Sequence, residues 1–482
     1  MQFNTYIYIL LFLPVVLLGY FTLNKISFII AKVFLVIFSL IFYLYAGIKG
    51  FIWLLVSISV NYLFVVVLRQ NKSKVILSVG IIVNIAILFY FKYLNFVIAS
   101  IDTVLQDDIS SLEIIQPIGI SFYTFQQISY LVDTYREETL GNNVLDYLVY
   151  VTFFPKVLMG PIVKQSEIIS QFNEEQNRVP ITDNLVIGIQ MFVIGLSKKV
   201  ILADNFAKAV KWAFNEVGIY NISSMDILLV MIAYSFQIYF DFSGYSDMAI
   251  ASAKMLNIDM PSNFDSPYKA YSIRDFWKRW HISLTRFLTE YIYIPLGGNR
   301  CGTVRTYINI VVVFVISGLW HGANWTFILW GLLHGLFNVI DRMIDKFIEK
   351  IHPALKWMCN FLLICILWLL FRSDNVKEWI TVMKQMTSMQ DLSISAELLN
   401  QFVTPQTNFL IDILHLEYIS DSVRGFTMIV FYIMALVICL GFENANIMNK
   451  KKTTFSAFVY GLLFLFCLTS FGTETVFVYF NF

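Results

Sequence analysis

Apolar stretches about 20 residues long recur along this chain from its first residues to its last, and that feature leaves few folds open. A helix crossing a bilayer needs about 20 largely apolar residues. Such runs fall near 4–23, 28–47, 50–69, 76–98, 114–135, 184–203, 226–245, 304–320, 324–341, 357–371, 425–443 and 455–472. The expected architecture is all-α and polytopic, with about twelve spans in a range of 10–13. A further apolar stretch at 144–162 is broken by Pro155, Gly160 and Pro161, and reads as a re-entrant element, tolerated at membrane depth only when buried in protein.

Composition closes the remaining options. Only 14% of residues are charged, against about 25% in soluble domains, so no large soluble module fits and 1–482 reads as one membrane domain. Lys plus Arg (34) nearly balance Asp plus Glu (33), which gives no basis for nucleic-acid binding. The five cysteines form no C-x-x-C pair, so neither a disulfide framework nor a structural metal is expected. The first residues lack a basic stretch and a small-residue cleavage site, and read as a retained membrane helix in the cell membrane.

Charge sets the threading, because basic loops favour the cytoplasm. RQNKSK (69–74) is basic and IDTVLQDDISSLE (101–113) is acidic. Placing the first inside and the second outside puts the N-terminus outside, and the basic segment 246–303 and Lys450–Lys452 inside. Lys198 and Lys199 fit less well, falling near an outer end. The longest polar stretch, 373–424, faces out in this threading and is too short and unpatterned for a catalytic domain.

Five histidines are present: His281, His321, His334, His352 and His415. The last two lie in polar connections. A titratable group inside an apolar stretch is functional by default, which singles out His321 and His334 in SGLWHGANWTFILWGLLHGLFNVIDR (317–342). On one continuous helix, thirteen residues would separate them by about 20 Å, so they cannot share a metal. His334 reads as a packed, hydrogen-bonded histidine at a helix interface. His321, at a break between spans, reads equally as a packed or a reacting group. His281 lies in RDFWKRWHISLTRFL (274–288). That segment is either a headgroup-level helix with Trp277 and Trp280 as interfacial anchors or a basic, aromatic mouth that gathers an anionic donor.

Other signals are weaker. Gly297–Gly298 in PLGGNR can bring backbone amides to an anion. DFSGYSD (241–247) reads as an unwound helix end lining a polar cavity, or as a plain cap, and Lys92 as a lysine reaching toward the surface. There is no H-E-x-x-H, G-x-S-x-G or P-loop sequence, so metalloprotease, serine-hydrolase and ATP-driven chemistries lack their parts. No internal repeat or heptad seam appears.

GPI (160–162), FDFSGYSDMAIASAKMLNI (240–258), NFDSPYKAYSIRDFWKRWHISLTRFLTEYIYIPLGGNR (263–300) and SGLWHGANWTFILWG (317–331) together resemble the membrane-bound O-acyltransferases. PIGISFYTFQQISYLVDTYR (117–136), YFKYLNF (90–96) and the terminal FVYFNF resemble the subgroup of alginate O-acetyltransferase membrane subunits. The resemblance implies helices around a central funnel or tunnel, a core motif region at 240–331, and catalytic roles for His321 and His281. It points to Asp241, Ser243, Trp277, Arg279, Trp280, Trp320 and Asn324 as lining the donor path. It also implies acetyl transfer from acetyl-CoA or another acyl thioester as co-substrate, with no bound cofactor or metal. The acceptor would be a secreted polysaccharide or peptidoglycan, reached through an extracytoplasmic acyltransferase partner; by its size and outward placement, 373–424 is the segment expected to dock that partner. His321 would serve as general base, at an ordinary imidazole pKa, or as an acyl-imidazole. The alternatives are D-alanyl transfer to teichoic acid from a carrier protein, and a transporter without acyl chemistry, which would call for paired intramembrane acids and repeated halves.

Overall fold

The computed structural model describes residues 1–105, 112–141, 143–345, 350–413, 420–445, 453–471 and 477–478. Among them it is helical, apart from one isolated bridge between Phe264 and Trp280. The N-terminal half comprises α1 (Ile7–Asn24), α2 (Phe28–Leu44), α3 (Ile48–Gln70), α4 (Lys74–Leu105), α5 (Ile120–Tyr135), α6 (Val144–Thr152), α7 (Gln165–Asn173), α8 (Thr182–Val217) and α9 (Ser224–Met255). There follow α10 (Ile273–Arg279), α11 (Ile282–Leu288), α12 (Thr303–His321), α13 (Trp325–Met343), α14 (Pro353–Arg372), α15 (Val376–Ser388), α16 (Ala396–Gln401), α17 (Pro405–Ile413), α18 (Ser420–Gly441) and α19 (Thr454–Thr469). Eight of these, α1, α3, α4, α8, α9, α12, α14 and α18, are long and apolar enough to cross a membrane. The protein is a multi-pass membrane protein. Two of the shorter apolar helices are α2 and α19.

Side-chain contacts sort the connections into two ends. At one end Lys72 pairs with Glu137 at 3.0 Å, Arg286 with Glu167 at 2.6 Å and Arg274 with Asp345 at 2.5 Å, and Lys269 donates to the Phe442 carbonyl. At the other, the Tyr43 hydroxyl donates to the Ile118 carbonyl, the Ser224 amide to the Asp391 carbonyl and the Asn324 amide to the Asp374 carbonyl. This is the alternation the charge-based threading needs. Exposed Cys301 lies at the first end. With that end cytoplasmic, an impermeant maleimide on intact cells leaves Cys301 unlabelled and reaches it only once the membrane is opened, with Cys301→Ser identifying the band. Labelling from outside on intact cells reverses the threading.

The stretch at 144–162 behaves as a re-entrant element. α6 stops at Thr152, and the chain turns through a wholly buried segment from Phe153 to Val163. Its backbone is braced from within the protein: the Tyr150 hydroxyl donates to the Val163 carbonyl, and the Ile162 amide to the Ser283 hydroxyl.

The most enclosed span is α9, 78% buried over its apolar window, against 22% for α4 and for α18. It meets α8 through glycines: a Cβ on Gly195 would lie 2.7 Å from the Gly244 carbonyl oxygen, so only small residues let these backbones touch. The close approach sets Lys198 on Asp247 and Lys199 on Asp241, each at 2.6 Å, with Asp204 2.9 Å from Lys199. A buried, paired lysine adds no net charge to a loop. That removes the misfit of Lys198 and Lys199 with the threading. It also corrects the reading of DFSGYSD as a helix end: residues 241–247 lie in mid-α9, and the two aspartates meet the lysines of α8 without the helix unwinding.

Candidate active site

His321 sits at the tip of a helical hairpin. α12 ends where Gly322 adopts an extended conformation, and α13 starts at Asn324, whose side chain accepts from the Thr326 amide at 3.0 Å. The two helices then run back along one another in near backbone contact. A Cβ on Gly318 would lie 2.2 Å from the Phe327 carbonyl oxygen, and one on Gly331 2.3 Å from that of Phe314. The hairpin overturns the expected separation of His321 and His334. Both rings flank Trp330, with centroids 5.2 and 4.5 Å from it, because the chain reverses between them. His334 is fully buried and accepts from the Trp277 indole at Nδ1, 3.0 Å, as a packed interface histidine should.

The last carbonyls of a helix have no partners within it. At the end of α12, side chains of α4 supply them. Lys92 Nζ donates to the Trp320 carbonyl at 2.6 Å and to that of His321 at 2.8 Å, and the Tyr93 hydroxyl donates to the Leu319 carbonyl at 2.7 Å. Two adjacent residues reach three successive carbonyls because they lie in a π turn, Phe89–Tyr93, within α4. A cation at a helix C-terminus also meets the negative end of the helix dipole, worth up to about 2 kcal/mol in a partly buried setting. Lys92 therefore does not reach toward the surface. Its ammonium, 9% exposed as a residue, is buried against the helix that carries His321.

Around His321 the walls are aromatic: Trp320, Trp330 and Phe371 lie at centroid distances of 4.9, 5.2 and 5.2 Å. His321 is 3% exposed. A site so enclosed excludes bulk water, as chemistry on hydrolysable groups requires. His281 also packs on Trp320, at 5.8 Å, and lies edge-on to Phe242. It is fully buried with φ +45°, in the left-handed region. The neighbouring chain enforces this conformation: the Asp265 amide donates to the Arg279 carbonyl, the Ile282 amide to that of Asn263, and the Ser283 hydroxyl to Asn263 Oδ1. Neither ring nitrogen of His281 meets a hydrogen-bonding side chain or backbone group of another described residue.

The other expected site residues divide. Trp320 packs on both histidines. Trp277 and Trp280 are buried in the same aromatic group, Trp277 on His334 and Trp280 on Trp368 at 4.8 Å. They are not headgroup anchors, because the apolar face of α10 turns into the protein. Arg279 pairs with Asp275 at 2.9 Å and Asp265 at 3.5 Å, which ties it to the loop under His281. Asn324 is the α13 cap. Asp241, held by Lys199 and the Val478 amide, belongs to the α8–α9 seam, with Ser243 buried beside it on α9. Gly297 and Gly298 take positive φ, but their amides donate to the Ile294 and Tyr293 carbonyls and close off the preceding helix. They are a C-terminal cap, not an anion cradle. His352 caps α14 through the Ala354 amide, and His415 lies outside the described residues. Among those residues no three His, Cys, Asp or Glu side chains are grouped to hold a metal ion.

Beside His281 opens a groove of about 580 Å³, lined by Trp277, Lys278, Ile282, Thr285, Arg286 and Glu290 among others, at the end that carries the basic segment. Sequence reasoning missed Lys92, Tyr93 and Ser121, 3.4 Å from Lys92 Nζ. The signal for Lys92 was a lone cation 18 residues into a span, where burial demands a specific partner.

Comparison with known proteins shows the family. The profile of the membrane-bound O-acyltransferase family matches residues 135–375, which include both the His281 loop and the His321 hairpin. The chain is 37% identical to the peptidoglycan O-acetyltransferase of Helicobacter pylori, over 100% of this chain and 97% of that protein. It is 36% identical to the "Probable alginate O-acetylase AlgI" of Azotobacter vinelandii, over 88% of this chain and 85% of the relative. A teichoic acid D-alanyltransferase of Streptococcus thermophilus is 28% identical over 48% of this chain and 58% of its own length. The chain belongs to the membrane-bound O-acyltransferase family and is an O-acyltransferase of the membrane.

Proposed function

We propose that this enzyme moves an acetyl group from a cytoplasmic thioester, acetyl-CoA or a similar donor, to hydroxyls of a cell-surface polymer, peptidoglycan first among them, with His321 as the reacting residue. The observation that carries the reading is the end-to-end match to a peptidoglycan O-acetyltransferase, combined with a buried histidine at a helix break inside the matched region. The D-alanyl alternative has less support, since those relatives match about half of the chain. Family membership leaves no place for a transporter without acyl chemistry.

The chemistry follows from the placement. A neutral His321 imidazole accepts the proton of the attacking hydroxyl while its oxygen bonds to the thioester carbonyl carbon. The C–S bond then breaks, and the proton passes to the departing sulfur, giving an ester and a free thiol. A positioned base contributes about 10²–10⁴-fold. His281 packs on Trp320, and the groove lined by its neighbour Ile282, with Lys278 and Arg286, is the proposed entrance for an anionic donor. The hydroxyl that takes the group at His321 belongs to an extracytoplasmic acyltransferase partner docking on the outward segment 373–424; a polymer hydroxyl then attacks that ester, takes the acetyl group and leaves the partner's hydroxyl free again.

Membranes containing the enzyme, given acetyl-labelled acetyl-CoA and peptidoglycan with the remaining cell-envelope proteins, should release labelled O-acetylated muropeptides after digestion. Label transfer that requires a D-alanyl-loaded carrier protein, with none from acetyl-CoA, would reject the acetyl reading.

A further inference from the structure

We infer that Lys92 is a positioning residue for the acyl-transfer step: its ammonium fixes the end of α12 and thereby holds the His321 side chain at the reacting geometry. The inference rests on the proposed role of His321. Four observations on this chain carry it. Lys92 makes its two shortest contacts to the main chain of the very residue proposed to react and of the one before it, at 2.8 and 2.6 Å. Tyr93 holds the third carbonyl, so the α12 terminus is gripped from α4 at three consecutive peptide groups. The grip lies in a π turn, an irregularity that redirects adjacent side chains and is enriched at functional sites. Ser121, the remaining polar neighbour of the ammonium at 3.4 Å, lies on α5, whose Phe122 and Phe125 pack on Trp320. One cation therefore joins α4, α5 and α12 at the point where His321 emerges.

No helical hydrogen bond can replace this grip. Beyond His321 the chain turns away at Gly322, whose amide reaches back into α12 only weakly, at 3.4 Å from the Gly318 carbonyl. Without Lys92, the carbonyls of residues 320 and 321 lose their charged donor in an enclosed site, and the last turn of α12 is released. A base displaced by about 1 Å loses on the order of 10²-fold in rate. In this reading only the thioester end of the donor reaches His321, while its anionic body lies in the groove lined by Lys278 and Arg286, so its apparent affinity is set mainly away from Lys92.

The test compares His321→Gln, Lys92→Met and Lys92→Ala in membranes, with turnover expressed per folded molecule from fluorescence-detected size exclusion of a tagged chain. Lys92→Met is expected to lower kcat about 10²-fold with donor KM within about threefold of the parent, as displacement of a base predicts. Added ethylammonium should restore Lys92→Ala turnover at least about tenfold within minutes, in a saturable way, because a small cation can occupy the vacated site. Acute rescue is not expected of a chain that has merely misfolded. If Lys92→Met keeps turnover within about twofold, or if folded Lys92→Ala shows no response to the amine, the inference is wrong. If His321→Gln itself remains active, the proposed function fails first, whatever the Lys92 variants do.

Discussion

Replacing His321 should stop acyl transfer while leaving the fold in place. The expected loss is at least about 10²–10⁴-fold, the contribution of a positioned general base. The fold should survive because the backbone at 319–321 is held by Lys92 and Tyr93, not by the imidazole. Alanine would also open a cavity between Trp330 and Phe371, each 5.2 Å from the ring, so His321→Gln, which keeps most of the volume, is the cleaner variant. Labelled acetyl transfer per folded molecule is the measurement, and near-parental turnover in His321→Gln would remove this histidine from the mechanism. Donor alone, without acceptor, separates the two routes open to it. Acid-labile label on the protein that disappears in His321→Gln indicates an acyl-imidazole, whereas its absence indicates a general base.

The fold class was legible because hydrocarbon permits so little: long apolar runs with few charges favour spans, although of the twelve runs expected to cross, eight form helices long and apolar enough to do so among the described residues, and the broken run at 144–162 turns inside protein. His321 was legible as a polar group where polarity is costly. Its relation to His334 was not, because helical arithmetic assumes a continuous helix, and the reversal at Gly322–Asn324 brings both rings onto Trp330. Lys92 and Asp241 failed for a shared reason. Each was read from its own segment, as a lysine near a surface and as an acid near a helix end, while the partner that explains it lies on another helix. Lys92 meets the end of α12, some 228 residues on, and Asp241 meets Lys199 across the α8–α9 seam. Sequence spacing reports neighbours along one helix. It does not report which faces meet.

The seam offers the second large effect. Lys199 is buried with Asp241 at 2.6 Å and Asp204 at 2.9 Å, and Asp241 also accepts from the Val478 amide at 2.8 Å. Removing one member of a buried ion pair leaves a charge whose hydration was given up on folding, at a cost of about 3–5 kcal/mol, whereas replacing both members by well-packed neutral groups is often close to neutral. Lys199→Met should therefore lower the melting temperature of the detergent-solubilised enzyme sharply and reduce its folded yield. Lys199→Met combined with Asp241→Asn should recover most of that loss, even though it carries one more substitution. The glycine contact between Gly195 and Gly244 leaves no slack for the helices to separate and admit water to a stranded carboxylate. The neighbouring Lys198–Asp247 pair, also at 2.6 Å, remains in both variants and serves as the internal reference. A double variant no more stable than Lys199→Met alone would mean that the lysine acts through Asp204 or through its packing against Phe477, 4.4 Å from the ring centroid, and not through its pairing with Asp241.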